Sequence, residues 1–212
     1  SADGRVAAVT NVRNGREAGS PDWRSRGELV LDFARQQQMP SGWLAELSLR
    51  APEYGPFNLL VGAGGELHYA SNRPRYRHRP LKPGVYGLSN GDFDAPWPKS
   101  LRLREALSAW LELEASMDDW PPVQKLFTAL ADTREAPEGQ LPNTGVALPI
   151  ERRLSAAFIS GAEYGTRASS VLLLDDVEAV LHERRYGPHG HFEGQSIVRI
   201  PLKAPAIPPA RP

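Results

Sequence analysis

The sequence predicts an α+β layered sandwich in which each of two sheets is covered by helices. Three observations carry this. Strand-patterned segments fall into two groups, one in residues 6–88 and one in residues 155–200. Amphipathic helical segments lie within the first group and between the two. A composition of 41% hydrophobic and 24% charged residues over 212 positions supplies enough apolar surface for a sizeable core.

The elements follow in order. Val6 to Thr10 reads as a short apolar strand ending at Asn11-Val12-Arg13, and Asn14 to Asp22 as a Gly/Pro/Asn loop. Arg26 to Gln38 carries Leu29, Val30 and Phe33 at helical spacing. Pro40-Ser41-Gly42 interrupts that pattern, and Trp43 to Arg50 forms a second short helix. Phe57 to Ala63 and Glu66 to Ser71 are strands around Gly64-Gly65, a two-residue turn that needs positive φ. The run RPRYRHRP (73–80) is a local basic strip, read as a solvated connection. Val85 to Leu88 opens as an apolar strand and breaks into SNGDFDAPWPK, a loop longer and stiffer than a connection requires, which marks it as the wall of a site.

Ser100 to Ala115 presents Leu103, Leu107, Trp110 and Leu111 on one helical face. Val123, Leu126, Phe127 and Leu130 repeat at helical spacing behind Asp119-Trp120-Pro121, with Asp118-Asp119 as a helix start. From Ser155 the pattern turns to strands: Ser155 to Ser160, Ser169 to Leu174, Val180 to Tyr186 and Ser196 to Ile200, with Asp175-Asp176 as a hairpin turn. One domain is expected over residues 1–202, and residues 203–212, with Pro205, Pro208, Pro209 and Pro212, read as a frayed tail.

Charge and composition exclude several function classes. Twenty-five basic residues balance twenty-five acidic ones, so no global field steers the chain to nucleic acid or to an anionic membrane. No apolar run approaches the roughly 20 residues needed to cross a bilayer, and no charged-then-apolar leader opens the chain, which reads as soluble, unexported and cytoplasmic. The absence of cysteine removes disulfides, thiolate metal sites and a cysteine nucleophile from these residues. His189-Gly190-His191 has no third ligand at a recognisable spacing and reads as a solvated turn, and His68 as an ordinary strand residue. No metal and no cofactor is expected.

Six motifs then carry a resemblance: TNVR (10–13), SRGELV (25–30), FNLLVG (57–62), SNR (71–73), YGLSNGDFDAPWPK (86–99) and YGTRASSVLLLD (164–175). In order and spacing the chain resembles the NRDE family, also called the Transport and Golgi organisation protein 2 family, over nearly its whole length. Members of that family begin Met-Cys and carry an Asn-Arg-Asp-Glu signature soon after. Both are absent here, and SADGRVAAVTN opens on an Asp3-Gly4 turn feeding a strand already in progress, so the natural N-terminus is expected upstream of Ser1. Ser1 itself looks like a nucleophile for this fold class, but its position in the family's motif order is internal.

The resemblance implies an N-terminal nucleophile hydrolase-like fold, a four-layer αββα sandwich of two antiparallel sheets, incomplete at its N-terminus. In that fold the first residue is the nucleophile and its own α-amino group is the base. By likeness to the bile-salt hydrolase and penicillin acylase branch, Asn90 would donate to the oxyanion and Arg167 would sit near the nucleophile, while Asn11 or Arg13 would orient substrate. Plainer roles stand beside these: a turn cap for Asn90, an ion pair with Glu163 or Asp92 for Arg167, structural roles for Asn11 and Arg13. Trp97, between two prolines, reads from the sequence as a substrate-pocket wall or a core plug. Three functions follow: an amide hydrolase acting on a small acylated metabolite; a non-catalytic small-molecule carrier, since eukaryotic relatives are linked to haem trafficking and to Golgi or secretory organisation; and a partner-binding protein. The implied partner is a small-molecule ligand or substrate, haem among the candidates.

Overall fold

Gly64 and Gly65 bend where the sequence requires it. In the computed structural model, which describes residues 1–17, 19–114 and 122–203, both take positive φ, 58° and 79°. They join β2 (Phe57–Ala63) to β3 (Glu66–Ser71) with Ala63 opposite Glu66. A side chain at either position would strain the turn. On one side β2 pairs with β1 (Val6–Asn11), and on the other β3 pairs with β4 (Arg77–Pro80), giving an antiparallel sheet in the order β1-β2-β3-β4.

Strand period two sorts β2 cleanly. Phe57, Leu59 and Val61 face α1 (Gly27–Arg35) and α2 (Pro40–Arg50), and they pack with Leu29, Phe33, Trp43, Leu44 and Leu47 into a core whose members are almost wholly shielded from solvent. The Phe33 and Trp43 rings meet edge to face at 5.2 Å. Pro40 interrupts nothing. It occupies the first turn of α2, where its missing N–H has no helical partner to lose and its fixed φ starts the helix.

Asn72, just past β3, ties this core to the loop before β2. Its Oδ1 accepts from the Phe57 N–H at 2.8 Å, and its Nδ2 donates to the Ala51 and Tyr54 carbonyls, both at 3.1 Å. With the residue only 6% exposed, truncation strands three backbone groups in a dry region. Asn72→Ala is expected to cost about 2–4 kcal/mol. Urea unfolding reads this directly, and a loss below about 0.5 kcal/mol would show that water takes the amide's place.

The second sheet is a meander of β5 (Ala168–Leu174), β6 (Glu178–Tyr186) and β7 (Phe192–Pro201). Its inner face, Val171, Leu173 and Val180, packs on Trp110 of α3 (Pro98–Glu114) and on Leu126 and Phe127 of α4 (Gln124–Leu130). Asp175 makes the β5–β6 turn, its Oδ1 accepting from the Val177 and Glu178 N–H groups at 2.7 and 2.8 Å. A short helix, α5 (Leu148–Arg153), precedes β5. The result is an α+β sandwich with two antiparallel sheets and helices on each. The Asp118-Asp119 and Asp119-Trp120-Pro121 helix-start signals lie outside the described residues, as do positions 204–212 of the Pro-rich tail.

Three expectations are corrected. Val85 to Leu88 is not a strand, because its polar groups are used inside its own loop: Gly87 N–H donates to Asp94 Oδ1 (2.9 Å), and Asp94 N–H to the Gly87 carbonyl (2.8 Å). Ser155 to Ser160 is not a strand either. Ile159 N–H donates to Thr166 Oγ1 and its carbonyl accepts from Thr166 N–H, while Phe158 N–H reaches the Asp132 carbonyl, so these residues close loops. The basic strip 73–80 contains strand β4, exposed along its length and ending at Pro80, which blunts a sheet edge.

Candidate functional site

The face of the first sheet opposite its helices carries Asn58, Tyr69 and Ser71, and the loop of residues 81–97 lies over it. Asn58 Nδ2 donates to the Gly91 carbonyl (2.8 Å) and the Ser89 carbonyl (3.3 Å), Tyr69 Oη donates to Asn58 Oδ1 (2.8 Å), and the Phe93 ring sits 4.6 Å from Tyr69. These contacts fix the loop against the sheet. They bring Asn90 to the C-terminal end of β1.

There the chain builds a compact polar cluster. Asn90 Nδ2 donates to the carbonyl and to Oδ1 of Asn11, at 3.1 and 2.6 Å, and its carbonyl accepts from the Arg13 N–H at 2.7 Å. Thr10 Oγ1 donates to the Ser89 carbonyl at 3.0 Å. The Arg13 guanidinium lies 5.4 Å from the centre of the Trp97 ring. Four of the five candidate residues, Asn11, Arg13, Asn90 and Trp97, are thus brought together. Arg167 is not among them. It is exposed at the start of β5, and among the described residues its side chain has no hydrogen-bond or ion-pair partner.

Trp97 belongs to neither hydrophobic core. Half-buried, it lies flat enough against Gly91 that a Cβ there would sit 2.5 Å from the indole, so Gly91 is what lets the ring form part of the wall. Ser1, by contrast, turns back on its own turn, its amine donating to the Arg5 carbonyl at 2.9 Å.

Behind Arg13 is an ion-pair network that the sequence did not announce. Arg13 Nη2 donates to Glu151 Oε2 at 2.8 Å and Nε to Thr144 Oγ1 at 2.7 Å. The other carboxylate oxygen of Glu151 accepts from both the N–H and the hydroxyl of Thr144, each at 2.5 Å. Glu151 comes from α5 and is 3% exposed, so its charge is compensated inside the protein rather than by water. Lys99, its Nζ 5.8 Å from the centre of the Trp97 ring, donates to the Leu154 carbonyl at 2.9 Å. Burial first, then the Arg13 charge, pushes its amine down to about 8, against the pull of Glu151.

The 12–17 loop and the 143–146 loop are held face to face by glycine. A Cβ on Gly15 would lie 2.6 Å from the Gly145 carbonyl, Gly145 takes φ 87°, and Gly15 N–H donates to the Thr144 carbonyl at 2.8 Å. Beside this contact opens a pocket of about 440 Å³ lined by Arg13, Asn14, Arg16, Arg73, Asp92 and Asn143 among others. Hollows of about 580 and 610 Å³ lie elsewhere, against α4, and hold none of the candidate residues. Among the described residues no group of three His, Cys, Asp or Glu side chains is arranged to hold a metal ion, and no helix is long and apolar enough to cross a membrane.

Comparison with known proteins agrees with the sequence motifs. The family model for Transport and Golgi organisation 2 matches residues 1–188. The Transport and Golgi organization 2 homolog of Mus musculus is 29% identical over 187 residues, covering 82% of this chain and 66% of the relative. The Bos taurus homolog gives the same figures, and the Homo sapiens homolog is 28% identical over 189 residues with the same coverage. The chain therefore spans 66% of the length of these curated relatives. With its family model matched from the first residue through β6, the chain belongs to the Transport and Golgi organisation 2 family.

Proposed function

We propose that residues 1–202 form one domain supplying the carbonyl-binding and substrate-positioning part of an N-terminal nucleophile amide hydrolase, acting in the intact protein on a small acylated metabolite. The observation that carries this reading is the Asn11–Asn90 pair. Both contacts of the Asn90 amide nitrogen go to Asn11, whereas Asn11 Nδ2 has no partner among the described residues. Asn11 is also exposed at the lip of the cluster. The donor offered to a substrate oxygen is therefore that of Asn11, and Asn90 holds it in place. A side-chain amide fixed in this way beside a pocket suits a carbonyl that becomes an oxyanion, because it needs no reorganisation when charge develops. Arg167, which none of these contacts reaches, carries no role in this reading.

The test is amine release from a panel of N-acyl amino acids by the intact-length protein. Asn11→Ala is expected to lower kcat by about 10²–10³ with little change in KM, and Asn90→Ala by at least about tenfold. Unchanged kcat in Asn11→Ala would overturn the reading. Stoichiometric binding without product would favour the carrier reading instead. For that carrier a haem-like ligand is the poorer fit at this site, since the adjoining pocket has only Val12 and Pro74 as apolar residues in a lining otherwise made of polar and charged ones.

A further inference from the structure

The charges around the 440 Å³ pocket do not cancel. Its lining carries three arginines, Arg13, Arg16 and Arg73, against two carboxylates, Glu17 and Asp92. Arg13 pairs with Glu151 at 2.8 Å, Arg73 with Glu17 at 3.2 Å, and Asp92 with Arg77 at 3.3 Å. Arg16 has no carboxylate partner among the described residues, its Nη2 donating to the neutral Asn143 Oδ1 at 2.8 Å. With the outer partners Glu151 and Arg77 counted, four arginines face three carboxylates, an excess of one positive charge. Arg16 is exposed and Arg73 half-buried, and both line the space.

The lining adds a backbone donor. Asn14 N–H has no partner among the described residues, and Asn14 lines the pocket next to Arg13. The Gly15–Gly145 contact braces this stretch of backbone. Guanidinium forks match the paired oxygens of a carboxylate or phosphate, and a partly enclosed site strengthens that match over its value in water. Glu17 and Asp92 oppose an anion; Asp92 is paired with Arg77 from outside the lining, and Arg73 is shared between Glu17 and the ligand, which leaves Arg16 as the uncommitted cation.

We infer that this pocket is a subsite for the anionic end, carboxylate or phosphate, of the molecule whose carbonyl meets Asn11, with Arg16 and Arg73 as the residues that select it. The inference rests on the carbonyl-binding reading for the ligand's other end. It adds the ligand's class: acyl compounds with an acidic terminus at the end remote from the scissile amide.

The experiment titrates the intact-length protein with 4-acetamidobutyrate and with its uncharged methylamide, and separately with inorganic phosphate, following binding by calorimetry. The acid is expected to bind at least about tenfold more tightly than its neutral twin. Arg16→Gln and Arg73→Gln should each reduce binding of the acid about three- to tenfold while leaving the methylamide unchanged. Phosphate should compete with the acid and lose affinity in the same two variants. Equal binding of acid and methylamide, or no binding of either the acid or phosphate, overturns the subsite. Asn11→Ala separates the two readings: a loss common to acid and methylamide supports both ends, whereas an acid preference that survives with no Asn11 effect keeps the subsite and sinks the carbonyl reading.

Discussion

Glu151→Ala is expected to destabilise the chain by about 3–5 kcal/mol, the largest effect of any single polar substitution in the site. Glu151 and Arg13 have side chains only 4% and 11% exposed, so removing the carboxylate leaves the guanidinium desolvated and unpaired. Lys99 makes this worse, because Glu151 also favours its charged form. The Thr144 N–H and hydroxyl lose their acceptor at the same time, and with them goes the clasp between α5 and the 12–17 loop. Glu151→Gln keeps an oxygen for Thr144 and should lose less, about half as much. Arg13→Met added to Glu151→Ala should recover part of the loss, since an apolar pair costs no charge burial. Urea unfolding of the three variants checks the series. A loss under about 1 kcal/mol in Glu151→Ala would show that water reaches Arg13 and that the pair is a surface feature.

How much of this was legible beforehand depends on the range of the interaction. The Gly64-Gly65 hairpin was readable because turn geometry is local, and the helix α1 because Leu29 and Phe33 recur at one period on one face. Val85 to Leu88 misled for the same reason: an apolar run has strand character whether or not a neighbouring strand exists to pair with it. Here the neighbour is its own loop, through Gly87 and Asp94. Ser155 to Ser160 failed similarly, its backbone bonds going to Asp132 and Thr166. Within the site, reading the sequence found Asn11, Arg13, Asn90 and Trp97, which sit at or beside loop signals. It left Arg167 apart from them, and it missed Glu151 and Thr144, which lie over 130 residues from Arg13 in sequence. Nothing in LPIERR distinguishes a buried counter-ion from a solvated helix charge. In the reading proposed above Asn90, expected as the donor, instead positions Asn11, because its amide nitrogen is already bonded to Asn11 Oδ1.

Lys99→Met is expected to raise stability near neutral pH, and the gain should disappear in alkali. The amine loses its proton near pH 8 in the folded chain against 10.5 when unperturbed. At pH 7 both states carry the charge, and the folded state bears the cost of burying it, on the order of 2–3 kcal/mol. Between pH 8 and 10.5 the unfolded chain binds more protons than the folded one, so wild-type stability rises with pH across that window and the cost is gone above it. Methionine carries no charge at any pH and removes this dependence, though it leaves the Leu154 carbonyl without its donor, an opposing loss of about 1 kcal/mol. The net expectation is a variant about 1–2 kcal/mol more stable than wild type at pH 7, with the difference shrinking through pH 8 to 10.5 and reversing to the hydrogen-bond loss. Burial also raises the Tyr54 and Tyr76 hydroxyls, which lowers stability at high pH, but equally in both proteins, so the difference isolates Lys99. A difference that stays flat from pH 7 to 10.5 would mean that Lys99 is solvated.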